Sequence, residues 1–65
     1  MIIEKEIKEP MIKQRLDVLK RRYFELELDR VALEAAGDTE GVTATIIRMQ
    51  AVQAAYEAVE AIPVE

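Results

Sequence analysis

The side chains of this 65-residue chain that could do chemistry fall into three groups. Thr39, Thr43 and Thr45 cluster near the middle; carboxylates pair at Glu25/Asp29 and at Glu57/Glu60; and Lys13, Arg15, Lys20, Arg21 and Arg22 form a basic run. A threonine hydroxyl becomes a nucleophile only beside a base. The chain contains no His, Cys, Ser, Trp or Asn, which removes the usual nucleophiles, the commonest general base and the commonest transition-metal ligand. The threonines therefore read as helix caps and helix surface.

The carboxylate pairs are spaced four and three residues apart, so each shares one face of a helix. A di-metal site in a helical bundle would need inward-facing Glu with Glu-x-x-His motifs, whereas these pairs mostly point away from the apolar seam of the helices and read as solvated surface. Gly37 and Gly41 are the only glycines and both serve a turn, so no phosphate-cradling loop exists. The inventory predicts a non-enzymatic chain with no catalytic, cofactor-binding or metal-binding residues and no cofactor.

The basic run carries the clearest functional signal. Net charge is −4 overall, but residues 11–24 carry +4 and residues 25–65 carry −7. Lys13, Lys20, Arg21 and Arg22 are candidates for contacting phosphates, which would make the chain a small RNA- or DNA-binding regulator acting through its first helix. The competing reading pairs Arg15 and Arg22 with Glu57 and Glu60 across an antiparallel hairpin, where exposed ion pairs contribute about 0–1 kcal/mol each.

The elements that position these groups are helices. From Ile12 the apolar positions step by four and three through Leu16, Leu19, Tyr23, Leu26 and Leu33, with Arg30 the one interruption of a heptad seam. Pro10 fits best in a first turn, where its missing N–H costs nothing, so the first helix is placed at about 10–36. Residues 1–9 are then an N-terminal arm, flexible or docked on a partner. Gly37 suits a left-handed residue just past the helix end, and Asp38 or Thr39 suits the N-cap of a second helix. The spacing predicts a turn at 37–39, a second helix at about 40–62 stopped by Pro63, and a tail at 64–65.

Val42, Ile46, Met49, Val52, Tyr56 and Val59 form the main apolar face of the second helix, and it must fold back on the first because the connection is so short. If the turn sets the register, Tyr23 lies near Gln53 and Arg30 near Ile46. Tyr23, Arg30 and Gln53 would then interrupt the seam with polar groups and fix its alignment at some cost in stability.

One apolar face per helix would satisfy a hairpin, yet both helices carry a second. Phe24, Leu28, Val31 and Ala35 form a stripe roughly 130° around the first helix from the seam. Ala44, Ile47, Ala51, Ala54, Ala55, Ala58, Ala61 and Ile62 form another on the second helix. Burying each larger side chain contributes about 1.5–3 kcal/mol. A chain this short buries only about 60% of its unfolded surface, and without cysteine or histidine its remaining remedy is oligomerisation.

The fold class predicted is all-α: an antiparallel two-helix hairpin with heptad packing, assembling into a four-helix bundle as a dimer of hairpins or into a higher helical oligomer. Phe24, Leu28, Val31, Ala35, Ile47, Ala51, Ala54, Ala58 and Ile62 are the predicted oligomer or partner interface. The function predicted is that of an adaptor, assembly factor or inhibitor working through protein–protein contacts with itself and with a protein partner. Charges interrupt the N-terminal segment where a secretory leader would be apolar, and no run approaches the ~20 apolar residues needed to span a bilayer. A cytoplasmic location and no membrane partner are the expectation.

Overall fold

The computed structural model describes residues 4–64. Two helices account for most of them: α1 at Lys5–Ala35 and α2 at Thr39–Glu60. They pack against each other as an antiparallel hairpin with principal extents of 51 × 14 × 14 Å.

The turn is built by two caps placed back to back. Gly37 has φ +75°, a conformation that costs a side-chain-bearing residue about 1–2 kcal/mol. That twist lets the Gly37 N–H donate to the Glu34 carbonyl at 3.1 Å and the Asp38 N–H donate to the Leu33 carbonyl at 3.0 Å. This pair of bonds is the Schellman closure of a helix C-terminus. Asp38 then caps α2, its Oδ1 accepting from the Gly41 N–H at 2.9 Å. A Cβ on residue 41 would press on the Asp38 carboxylate, so the glycine that weakens the first turn as a helix former also leaves room for its cap.

The helix limits differ from those the sequence predicts, for identifiable reasons. α1 begins at Lys5, not at Pro10, so residues 5–9 are helix and not an arm; Met1–Ile3 lie outside the described residues. Lys5–Glu9 are good helix formers, and proline this close to the start deletes one intrahelical bond, the one its N–H would have made to Glu6. α2 ends at Glu60 with Ala61 as its C-cap, two residues short of Ile62, because the residue before Pro63 is disfavoured in the α region. Of the expected tail, Glu65 lies outside the described residues.

The two helices meet along the heptad seam. Leu26 is 2% exposed and Met49 7%, and among the described residues they are the buried apolar ones. Ile12, Leu16, Leu19 and Leu33 on α1, and Val42, Val52, Tyr56 and Val59 on α2, are half-buried. Two seam positions depart from the expectation: Tyr23 is 37% exposed and Ile46 39%, and on α2 Thr45 is buried in place of Ile46. Thr45 lies three residues after Val42 and four before Met49, on the line of the seam, and its hydroxyl satisfies itself by donating to the Gly41 carbonyl at 2.8 Å.

This core is small for the chain. The radius of gyration is 15.6 Å, whereas a compact chain of this length would have about 11 Å. The accessible surface is 5296 Å², roughly 1,100 Å² more than a compact monomer of this mass exposes.

Candidate interaction surface

The grooves between the helices show how the polar seam residues are placed. One groove is lined by Leu19, Lys20, Tyr23, Val52, Gln53 and Tyr56. The next along the same side is lined by Tyr23, Glu27, Arg30, Ile46, Met49, Gln50 and Gln53. Tyr23, Arg30 and Gln53 thus come together on one flank, and Arg30 shares a groove with Ile46. Lys20 places its Nζ 5.8 Å from the centre of the Tyr56 ring, within reach of a cation–π attraction.

Arg30 is anchored along its own helix. Its guanidinium donates to Glu34 Oε1 at 2.7 Å and to Glu27 Oε1. Its hydrogen bond to Glu27 first, then that to Glu34, and the charge of both carboxylates raise its pKa above the usual arginine value. Glu27 and Glu34 take up the charge that interrupts the seam, and Arg30 is half-buried there.

Among the described residues every ion pair lies within α1: Arg30 with Glu27 and Glu34, and Arg22 with Glu25 at 3.8 Å. The cross-hairpin pairs of Arg15 and Arg22 with Glu57 and Glu60 do not form. Arg22 is satisfied by a neighbour one turn away, and Glu57 faces the Gln53 amide at 3.4 Å. Lys13, Lys20 and Arg21 are exposed. No group of three or more His, Cys, Asp or Glu among the described residues is arranged to hold a metal. No described helix is long and apolar enough to cross a membrane.

The second apolar stripes are open to solvent. On α1, Phe24 is 61% exposed, Leu28 55% and Val31 52%, and Ala35 beside them is exposed. On α2, Ile47 is 60% exposed and Ala51, Ala54 and Ala58 are exposed, and Ile62, just past the helix end, is 42% exposed. Comparison with protein-family models, curated proteins and solved structures finds no match. The reading of these surfaces therefore rests on their physical chemistry.

Sequence reasoning missed a third exposed apolar set. Ile7, Met11 and Val18 are all more than half exposed, and Met11 and Val18 line a shallow groove with Gln14 and Arg15. The signal was there in their helical spacing, but starting the helix at Pro10 removed Ile7 from the pattern.

Proposed function

We propose that the chain is a non-enzymatic interaction protein, a helical hairpin that self-associates and works as an adaptor, assembly factor or inhibitor through its outer faces. The observation that carries this reading is the exposure of Phe24, Leu28, Val31 and Ile47 on a molecule with two buried apolar side chains among the described residues. Exposed apolar stripes of this kind mark association sites. The surface excess of roughly 1,100 Å² is comparable with the ~800 Å² each partner contributes to a standard interface. The fewest chains that close an assembly make a dimer of hairpins, a four-helix bundle; a tetramer or larger ring is the alternative, and the directions in which the two outer stripes face decide between them. Size-exclusion chromatography with light scattering tests the reading: a mass of two or more chains at micromolar concentration is expected, and a folded single chain of 7.4 kDa would overturn it.

A second reading has its own support in Lys13, Lys20 and Arg21, which are exposed and form no ion pair within the described residues. With Arg22 they offer a phosphate-binding face on α1. Binding to RNA or DNA that falls steeply between ~50 and ~200 mM salt would support it; no retention at low salt would exclude it.

A further inference from the structure

The two outer stripes do not face the same way, and that restricts how copies can pack. The grooves along the hairpin mark one flank, lined by Lys20, Glu27 and Gln53. On α1 the stripe of Phe24, Leu28 and Val31 lies past Lys20 and Glu27 on the wheel, turned toward that flank. On α2 the face of Ile47, Ala51, Ala54, Ala58 and Ile62 begins beyond the edge opposite Gln53, turned away from it. A side-by-side two-fold dimer buries one flank of each hairpin, so it cannot set both stripes into a single interface.

We propose that copies associate head to tail, the α1 stripe of one copy seating on the outward α2 face of the next, with self-association itself resting on the function proposed above. Such a contact is heterologous: it leaves one α1 stripe and one α2 face open and propagates to a ring or a filament.

Two features support a second copy as occupant. The first is shape. The α1 stripe projects three large side chains, while the α2 face is small between Ile47 and Ile62, which lets a second helix axis approach closely. The second is charge. Glu57 and Glu60 lie near the α2 C-terminus, where the helix dipole disfavours anions and the last turn has no basic residue. If the helices run antiparallel with Leu28 beside Ala51, Lys20 lies level with Val59, two residues from Glu57 and on the same rim of the contact. Lys20 of one copy thus meets Glu57 of the next, and neither forms an ion pair among the described residues of its own hairpin.

Complementation of two face-blocked variants tests this. Leu28→Glu closes the α1 stripe and Ala51→Glu closes the α2 face. Each alone should elute as a single chain, and their mixture should give a two-chain species and nothing larger, because one intact contact remains. An Ala51→Glu chain that self-associates by itself, or a mixture that stays single-chain, would overturn the head-to-tail arrangement. A wild-type chain that is itself monomeric would overturn the underlying reading as well. Should the blocked variants fail to fold, cysteine cross-linking decides, since the chain has no cysteine of its own. The double variant Leu28→Cys/Ala51→Cys should oxidise to a ladder of multimers while Leu28→Cys alone stays monomeric; a disulfide dimer of Leu28→Cys alone would contradict the proposal.

Discussion

The two ends of the hairpin are held by different means. At the turn, the Gly37 Schellman closure, the Asp38 cap and the buried Leu26, Thr45 and Met49 hold the helices within one chain. At the open end, α1 has no side-chain cap, carries Pro10 inside its second turn, and packs through the half-buried Ile12, Leu16 and Leu19. With 31 residues against 22, α1 also outruns α2. The contrast teaches that the turn end supplies the hairpin's own specificity, while the open end and the outer stripes depend on what packs against them.

The largest effect should come from the core. Leu26→Ala should destabilise by about 2–5 kcal/mol, the range for a large-to-small change in a packed site. Leu16→Ala at the open end should cost less than half as much, read as the difference in urea midpoints. Equal losses would abolish the distinction between the ends. Gly37→Ala should cost about 1–2 kcal/mol through the left-handed φ alone, and Asp38→Ala about 1 kcal/mol through the lost cap, both measured by thermal unfolding.

Smaller effects sharpen the comparison. Arg30→Leu should raise the melting temperature modestly and broaden the distribution of oligomeric states; an unchanged distribution in light scattering would show that Tyr23, Arg30 and Gln53 do not set the register. Pro10→Ala removes a residue costing ~3 kcal/mol in a helix interior. The gain should stay local, appearing as slower amide exchange over Lys5–Glu9 with little change in the global midpoint.

Much of the fold was legible because its signals are local. The step of four and three from Ile12 to Leu33 names the α1 seam, and Gly37 followed by Asp38 names the turn and its cap. Ile46 was misplaced because apolarity was weighed above position: Thr45 holds the seam, and a hydroxyl that bonds the preceding turn is compatible with burial there. Pro10 reads as a boundary in the sequence, yet α1 runs through it from Lys5, because the flanking Lys5–Glu9 are good helix formers. The outer stripes were legible as patterns of type and spacing. Their opposite facing emerges only once the grooves identify which flank of each helix is shared.

The central claim is that this hairpin owes part of its stability to surfaces a single copy leaves in water. The most direct measurement is thermal unfolding, followed by circular dichroism, across a hundredfold range of protein concentration. Linkage between folding and association predicts a melting temperature that climbs steadily with concentration. A melting temperature that stays constant across that range, with a folded single-chain species throughout, would contradict it.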